Sequence, residues 1–392
     1  MTTSPIGVAV IGAGMAGRAH CAGYRTAPTL FDPPLPPIRY AAVVDADANV
    51  AADAATRYGY ERSMTDWREL VDDESVQVVS VVVANHLHRE ITEALLAAGK
   101  HVLSEKPLAA SLEDAEAMVA AAQAHPDQVT GVGFVYRRQP AVAAVRDLLR
   151  EELGEISHFN GRYWCDYALS PQVPMAWRYK GAPGTGALAD IGSHLIDLSE
   201  FLCGPMVSVS GGTFTTKVAE RAVPIGTTYG HAKAELSDVR EPVENDDVAT
   251  FTAHFESGAI GTFSISRIAP GHANSLAFDV MAQHGGVKWD MDRPAEFSVI
   301  RKLRDDGFDG YNQVLAGPAH PYVKGGLPMD FPGVSYGVGD LFGYQARAFL
   351  EQVAGIKGLP PVAPFEDGVR DLRIIDAVSR SAAAGGATIP VA

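Results

Sequence analysis

Residues 6–17 read Ile-Gly-Val-Ala-Val-Ile-Gly-Ala-Gly-Met-Ala-Gly. The short apolar run Ile6–Ile11, closed by glycines, predicts a buried strand. In the pattern that follows, Gly12 permits a tight turn, Gly14 lets the backbone approach a pyrophosphate, and Gly17 allows a helix to pack closely on the strand. A strand, this turn and a helix predict a dinucleotide site, because the N–H groups at the helix start face the phosphates. The residues predicted to contact the cofactor at the turn are Gly12, Ala13, Gly14, Met15 and Ala16.

Strands and helices are predicted to alternate after this turn. The strand runs are apolar on both faces, which is typical of a parallel, doubly wound sheet. The proline-rich residues 28–37 predict a surface insertion, because proline has no amide donor and a fixed φ. The predicted strands are Arg39–Asp45, Val76–Val83, His101–Ser104 and Val129–Phe134. The predicted helices are 17–28, Ala48–Tyr58, Thr65–Val71, His88–Ala98 and Ser111–Ala124.

The pattern changes after about residue 135. Most segments from Ile156 onward alternate apolar and polar residues, which predicts a mostly antiparallel sheet with one face more polar than the other. The predicted strands include Thr250–Phe255, Gly261–Ser266, Leu276–Gln283, Val287–Met291 and Glu296–Leu303. The predicted helices are Ala141–Glu152, Leu341–Val353 and Glu366–Ala383. Together the two patterns predict an α/β chain with domains at residues 1–135 and 136–392.

Composition and charge narrow the class of protein. The chain has 392 residues, of which 47% are hydrophobic and 20% charged, and a formal net charge of -15. A negative field of this size argues against nucleic acid or an anionic membrane as partner. The N-terminus has no signal-peptide pattern and the longest apolar run, around Val78–Ala84, is too short to cross a bilayer, so we expect a cytoplasmic protein. Three cysteines at unrelated spacings predict neither a disulfide framework nor a metal site.

Asp45 ends the second predicted strand, 28 residues after Gly17. The usual separation is about 20, and the proline-rich insertion explains the difference. A carboxylate at this position accepts hydrogen bonds from the adenosine ribose and repels a 2′-phosphate. Ala46 follows, with no adjacent arginine to receive such a phosphate, so the sequence favours NAD over NADP.

Three polar residues predict chemistry beside the cofactor. Lys106 follows a strand at its carboxyl end, where open α/β sheets bind ligands, and its ammonium can hydrogen-bond a substrate hydroxyl. Asp190 and His194 are four residues apart, so a helix that starts near Asp190 would present both on one face. An imidazole is a natural base for an alcohol proton, and a carboxylate can orient it or the substrate. Asp197 is an alternative partner for His194.

These motifs together resemble the glucose–fructose oxidoreductase / inositol dehydrogenase (Gfo/Idh/MocA) family over nearly the whole chain. Each motif is modest alone, but their combination in this order and at these separations is highly specific. The residues that carry the resemblance are Gly12–Gly17, Ala84-Asn85-His86-Leu87-His88, Glu105-Lys106-Pro107, Gly133-Phe134-Val135-Tyr136-Arg137-Arg138, Trp177-Arg178 and Asp190-Ile191-Gly192-Ser193-His194.

The resemblance implies a fold and roles for individual residues. It implies an N-terminal Rossmann domain and a C-terminal α+β domain with a large open sheet that binds substrate and joins a homodimer or homotetramer. It implies that Lys106, Asp190 and His194 are catalytic, with His194 taking the hydroxyl proton. The residues implied to lie near the cofactor are Asn85, His88, Glu105, Trp177 and Arg178. Those implied to contact substrate are Lys106, Tyr136, Arg137, Asp190, His194 and His320.

Two departures from the family pattern bear on the turn under the nicotinamide and on the substrate, respectively. Val83-Ala84 stands where the family usually has Thr/Ser-Pro before the asparagine. The insertion at 28–37 and the stretch 317–322, which contains His320, resemble the levoglucosan dehydrogenase branch, whose members oxidise an anhydrosugar at a secondary hydroxyl. We therefore predict an NAD-dependent dehydrogenase acting on a cyclic polyol or sugar. A hydrolase or lyase that retains NAD and oxidises its sugar transiently, and a sugar or NAD sensor, are the alternatives.

Several conspicuous residues are not assigned to the site. His86 and His88 have no accompanying carboxylate cluster, so no metal is predicted. Glu244-Asn245-Asp246-Asp247 lacks the spacing of a calcium loop and is interpreted as the start of a strand. Tyr163, Trp164 and Tyr167 are interpreted as core or interface aromatics.

Overall fold

The computed structural model describes residues 4–226, 235–301, 309–334 and 336–392. Contacts divide these residues into two compact units. The first contains residues up to Arg138 together with 324–330 and 336–372, and the second contains the described residues of 139–323, 331–334 and 373–392. In contrast to the predicted division at residue 135, the first unit also takes in a C-terminal segment. The domain bounds 1–135 and 136–392 stay a prediction.

The chain forms helices and strands in the following order. The helices are α1 (Met15–Thr26), α2 (Ala48–Tyr58), α3 (His88–Ala97), α4 (Leu112–Ala124), α5 (Pro140–Leu148), α6 (Ser193–Cys203), α7 (Val338–Val353) and α8 (Phe365–Ala383). The strands are β1 (Ile6–Ile11), β2 (Ile38–Val44), β3 (Arg62–Met64), β4 (Val78–Val81), β5 (His101–Ser104), β6 (Thr130–Val132), β7 (Ile156–Trp164), β8 (Met206–Thr215), β9 (Glu220–Pro224), β10 (Leu236–Pro242), β11 (Val248–Phe255), β12 (Ile260–Ser266), β13 (Ser275–Ala282), β14 (Gly285–Asp290), β15 (Glu296–Ile300), β16 (Asn312–Leu315) and β17 (Ile389–Pro390).

The first unit is built on a parallel sheet of six strands in the order β3-β2-β1-β4-β5-β6. Every residue of β1 and β4 is buried, as their apolar runs predict. The strand order reverses beside β1, and ligands bind at such switch points in open α/β sheets. The predicted parallel, doubly wound sheet is confirmed. The core of this unit includes Val8, Val10, Tyr24, Val43, Leu103 and Phe349.

The proline-rich insertion is tied to α7 within the first unit. The guanidinium of Arg347 is fully buried and donates to the carbonyl oxygens of Leu30 and Pro33. Its Nε also donates to Glu351 Oε1 at 2.6 Å, and this carboxylate is buried as well. The insertion has no strand or α-helix, as predicted. A buried ion pair on α7 therefore sets the position of the insertion. Arg347 and Leu30 are 317 residues apart in the sequence.

The second unit contains a mixed sheet of nine strands in the order β16-β15-β14-β13-β7-β12-β11-β8-β17. The pair β7–β12 is parallel, and the other neighbouring strands are antiparallel. Residues of β11 and β12 alternate between buried and more exposed, so one face packs on the core. The predicted large, mostly antiparallel sheet is confirmed. The sequence did not predict β8, β9, β10, β16 or β17.

Several predicted elements differ in type or length. The predicted helix Thr65–Val71 is a single 3₁₀ turn over Trp67–Leu70. The helix predicted over Ala141–Glu152 is α-helical only to Leu148 and continues as a π-turn over Leu149–Leu153. The strand predicted over Glu296–Leu303 ends at Ile300, and its last two residues lie outside the described residues. Within the described part of the chain, no helix has the length and apolar character needed to span a membrane.

Candidate active site

The glycine turn between β1 and α1 is as close-packed as its sequence predicts. Gly12 has φ +96°, and a Cβ there would lie 2.1 Å from the carbonyl oxygen of Val82. A Cβ on Gly17 would lie 1.8 Å from the carbonyl oxygen of Gly12. A Cβ on Gly14, by contrast, would meet nothing within 4 Å. Two glycines therefore permit packing inside the unit, and the third leaves open space where the helix begins.

Asp45 follows β2 and lies directly against this turn. Its Oδ2 accepts a hydrogen bond from the backbone N–H of Ala13 at 2.8 Å, and its Oδ1 accepts one from Asp47 N at 3.0 Å. The carboxylate is thus held beside the open position at Gly14. This geometry fits a dinucleotide, because backbone donors for the phosphates and a carboxylate for the ribose lie together.

Asn85 and His88 both follow β4, but Asn85 is partly exposed and His88 is buried. Asn85 begins a 3₁₀ turn over Asn85–Leu87 and is partly exposed. His88 is buried, with Nδ1 3.1 Å from the carbonyl oxygen of Leu108 and Nε2 3.0 Å from that of Val83. Burial lowers the pKa of His88. Its ring therefore ties two loops together, and its implied place near the cofactor stays a prediction.

Lys106 follows Glu105, which ends a buried hydrogen-bonded chain. Glu105 Oε1 lies 2.8 Å from Nε2 of His20, and His20 Nδ1 lies 3.1 Å from Ser80 Oγ. Glu105 Oε2 accepts a hydrogen bond from the backbone N–H of Lys106 at 3.1 Å. Burial is the largest single influence and opposes ionisation of Glu105, but the interactions with His20 and Lys106 together outweigh it, so the pKa of this carboxyl lies below its usual value. The chain fixes the backbone from which the Lys106 ammonium extends.

Tyr136 and Arg137 lie in a 3₁₀ turn over Val135–Arg138 of the first unit. Tyr136 is buried. Arg137 forms an ion pair with Asp367, with Nη1 2.7 Å from Oδ2. Arg137 is predicted to contact substrate, and its guanidinium already has a carboxylate partner.

Asp190 and His194 lie in the second unit, at the start of α6. The predicted helix near Asp190 is a π-turn over Leu188–Gly192, and α6 begins at Ser193. Such single π-turns are frequent at functional sites. Asp190 Oδ2 accepts a hydrogen bond from the hydroxyl of Tyr167 at 2.6 Å. His194 is buried, with its ring centroid 6.2 Å from that of Tyr163.

The segment that leads to Asp190 is held by one buried carboxylate. Asp246 Oδ1 accepts hydrogen bonds from the backbone N–H groups of Gly184 at 2.8 Å and Gly186 at 3.0 Å, and Oδ2 accepts one from Leu188 at 2.9 Å. Asp246 is 1% exposed. A residue interpreted from the sequence as the start of a strand therefore fixes the backbone just before the π-turn.

Trp177 and Arg178 form a 3₁₀ turn over Trp177–Tyr179. Trp177 is half exposed, and the Arg178 guanidinium carbon lies 5.2 Å from its ring centroid. The carbonyl oxygen of Arg178 accepts hydrogen bonds from Arg267 Nη1 and Asn245 Nδ2, both at 3.1 Å. Arg267 also forms a buried ion pair with Asp247, in which Nε lies 2.9 Å from Oδ1.

His320 closes a turn in the second unit. Its Nδ1 lies 3.1 Å from the backbone nitrogen of Gly317, and its ring centroid lies 6.0 Å from that of Phe297. Its predicted contact with substrate stays a prediction. Among the described residues, no group of three or more histidine, cysteine, aspartate or glutamate side chains is arranged to hold a metal ion.

The structure therefore gathers the predicted residues into two sets. One set lies in the first unit and contains the glycine turn, Asp45, Glu105 and Lys106. The other lies in the second unit and contains Asp190, His194, Trp177 and Arg178. The sequence missed the two groups that support the second set, namely Tyr167 and the buried tripeptide Asn245-Asp246-Asp247. The signal in the sequence was the acidic run at residues 244–247 before a strand, and such a run is also typical of an exposed strand start.

Two family models match the chain. The model described as the oxidoreductase family with an NAD-binding Rossmann fold matches residues 6–134, and the model of the GFO/IDH/MocA C-terminal domain matches residues 142–288. The chain belongs to the Gfo/Idh/MocA oxidoreductase family. The predicted resemblance is confirmed. The matching family model identifies residues 6–134 as an NAD-binding Rossmann fold and the protein as an oxidoreductase.

Relatives within the Gfo/Idh/MocA family match the chain from end to end. A levoglucosan dehydrogenase from Pseudarthrobacter phenanthrenivorans is 35% identical over 382 residues, which are 96% of this chain and 96% of that protein. The structure of a levoglucosan dehydrogenase in complex with NADH and levoglucosan has a TM-score of 0.88 at 32% identity and covers 99% of this chain and 100% of its own. An oxidoreductase domain protein from Kribbella flavida has a TM-score of 0.88 at 34% identity, with 99% of both chains covered.

Proposed function

We propose that this protein is an NAD-dependent dehydrogenase that oxidises a secondary hydroxyl of a sugar or cyclic polyol, with an anhydrosugar as the preferred class. The observation that carries the proposal is the end-to-end similarity to a levoglucosan dehydrogenase. Support comes from Lys106, two residues after β5 of the Rossmann sheet, from Asp190 in the π-turn before α6, and from His194 at the start of α6.

In the proposed reaction, NAD supplies the acceptor for the hydride that leaves the carbinol carbon. His194 takes the hydroxyl proton as that carbon becomes a carbonyl carbon. The Lys106 ammonium donates a hydrogen bond to the same oxygen, and the Asp190 carboxylate orients the hydroxyl. The backbone N–H groups beside Gly14 and the Asp45 carboxylate would hold the pyrophosphate and the ribose, respectively.

The proposal specifies NAD in preference to NADP. Asp45 accepts a hydrogen bond from the N–H of Ala13, which holds its carboxylate against the turn and supports a contact with the ribose that would repel a 2′-phosphate. Two negative groups in contact repel each other, and no arginine follows Asp45 to compensate.

The test is a screen for reduced cofactor with anhydrosugars, inositols, aldoses and glycosides, using NAD and NADP in parallel. We expect stoichiometric NADH from an anhydrosugar and at least tenfold less activity with NADP. Lys106→Ala and His194→Ala should each lower turnover by about 100- to 10,000-fold. The exposed Lys324→Ala and His284→Ala variants serve as matched controls and should keep wild-type turnover.

Other outcomes would contradict the proposal. Near-normal turnover in both Lys106→Ala and His194→Ala would exclude the proposed mechanism. Sugar turnover without net NADH would instead indicate a hydrolase or lyase that retains its cofactor. Binding of sugars with no turnover across the whole panel would indicate a sensor.

We also propose that a second copy of the chain is a partner, through the nine-stranded sheet. The partly exposed apolar side chains Ile260, Met281 and Leu315 lie on three strands of this sheet and support the proposal. Light scattering after size-exclusion chromatography would give the mass of a dimer or tetramer. A monomer mass near 41.5 kDa at micromolar concentration would contradict this proposal.

A further inference from the structure

Tyr167 contacts Asp190 through a short hydrogen bond. The distance from its hydroxyl oxygen to Asp190 Oδ2 is 2.6 Å. Hydroxyl-to-carboxylate bonds of roughly 2.5–2.7 Å are charge-assisted and about twice as strong as neutral ones. Tyr167 lies on the loop after β7, where the sequence indicated only a core or interface aromatic. The contact gives this residue a polar partner in the proposed catalytic set.

The position of Tyr167 is fixed by its ring and by the backbone on both sides. The ring packs against a small apolar cluster that contains Ala168, Met175, Tyr179 and Val243. The backbone N–H of Cys165 donates to Ser266 O at 2.7 Å, and that of Ala168 donates to Arg267 O at 3.0 Å. Little freedom is left for the phenol to point elsewhere.

A stack of two arginines on a tyrosine holds the same loop. The guanidinium carbons of Arg221 and Arg267 lie 4.1 Å and 4.7 Å from the ring centroid of Tyr179. Both arginines are fully buried. Arg221 donates to the carbonyl oxygens of Ala168 at 2.6 Å and Ser170 at 3.0 Å. The loop that carries Tyr167 is therefore anchored by buried, charge-assisted hydrogen bonds.

Asp190 is supported independently, from the other side of the contact. Asp246 holds the three N–H groups of Gly184, Gly186 and Leu188, and Asp190 N donates to Gly186 O at 2.9 Å. Buried hydrogen bonds thus hold the backbone on both sides of the contact. Because both groups are already held in place, little conformational entropy is lost at this contact when substrate binds.

The phenol is a permanent donor in this pair. Burial, followed by the neighbouring Asp190 charge and the hydrogen bond to it, raises the pKa of Tyr167 well above its usual value. The other charged and titratable groups that face the pair are Arg178, Arg267 and Tyr179, with His194 four residues beyond Asp190. Tyr167 therefore donates its proton to the hydrogen bond, and Asp190 Oδ2 accepts it.

We propose that Tyr167 is a positioning residue for the dehydrogenase reaction, which holds the Asp190 carboxylate in one orientation toward the substrate hydroxyl. This inference rests on the proposed function. Removal of the phenol oxygen leaves one carboxylate oxygen without this donor and allows Asp190 to rotate.

The test compares wild type, Tyr167→Phe, Asp190→Asn and the double variant, each assayed for NADH formation with the sugar found in the screen. We expect Tyr167→Phe to lower kcat about 10- to 100-fold, which corresponds to one charge-assisted hydrogen bond. KM for the sugar should change much less than kcat, because in this proposal Tyr167 orients Asp190 and does not itself contact the substrate. The double variant should be no worse than Asp190→Asn alone by more than about threefold, because Tyr167 acts through Asp190.

Tyr311→Phe is the matched control, because Tyr311 is exposed and lies outside the candidate site. Thermal unfolding of each variant establishes that it is folded at the assay temperature. An unchanged kcat in Tyr167→Phe, or a loss confined to KM, would overturn the inference and leave the proposed function intact. Losses that multiply in the double variant would overturn it too, since they indicate a role independent of Asp190. A wild-type protein that oxidises no sugar would overturn the proposed function and this inference together.

Discussion

Asp246→Asn tests whether one buried carboxylate holds the segment before Asp190. The side chain is 1% exposed and accepts three backbone hydrogen bonds, at 2.8, 3.0 and 2.9 Å. In the asparagine variant, one oxygen becomes an NH₂ group that faces a backbone N–H. At least one charge-assisted bond is lost, at about 1.5–3 kcal/mol, and the remaining bonds become neutral and weaker. The lower desolvation cost of an amide offsets part of this loss.

The net result should be a free energy of unfolding lower by about 2–4 kcal/mol. Urea unfolding followed by circular dichroism measures it directly. Glu256→Gln is the matched control, because Glu256 is exposed in the same unit, and we expect a change within about 0.5 kcal/mol. Turnover should fall by at least about tenfold in Asp246→Asn, since loss of this anchor displaces Asp190. An Asp246→Asn protein as stable as the control would refute the reasoning, because the charge would then contribute nothing to the fold.

Two further predictions concern the first unit. Arg347→Met should lower the free energy of unfolding by about 3–5 kcal/mol, because it leaves the buried Glu351 carboxylate without its partner, and a urea midpoint close to that of wild type would contradict it. Burial opposes ionisation of Asp73, but hydrogen bonds from Ser75 and Arg62 outweigh it and lower its pKa to about 2. The stabilisation from Asp73 is therefore complete above its unfolded value, near 3.8, and is lost as the pH falls toward about 2. Asp73→Asn should lose less stability than wild type between pH 4.5 and 2.5, as measured by the pH dependence of the thermal midpoint, and identical curves would contradict the assignment.

Much of the first unit could be predicted from the sequence because its signals are local. The predicted bounds of β1, β5 and α2 coincide with those of the structure. Gly12 and Gly17 have the close contacts that the turn requires, and Asp45 lies against that turn. Burial on both faces, glycine turns and helix periodicity depend on a few consecutive residues, so they can be recognised in the sequence without the tertiary structure.

The second unit was less predictable because its order comes from distant partners. The strands β8, β9 and β10 were missed, and the helix expected near Asp190 is a π-turn. In antiparallel sheets, strand pairing depends on tertiary packing more than on propensity.

By itself, the sequence determined the cofactor-binding turn, the alternation of strands and helices, and the identity of Lys106, Asp190 and His194 as candidates. Only the tertiary structure decided what supports them. The contact of Tyr167 with Asp190 spans 23 residues, that of Asp246 with Gly184 spans 62, and that of Arg347 with Leu30 spans 317. Many acidic and basic residues in this chain could serve as partners at such separations. The folded path of the backbone selects among them, because a buried polar group is stable only where the fold supplies its hydrogen bonds.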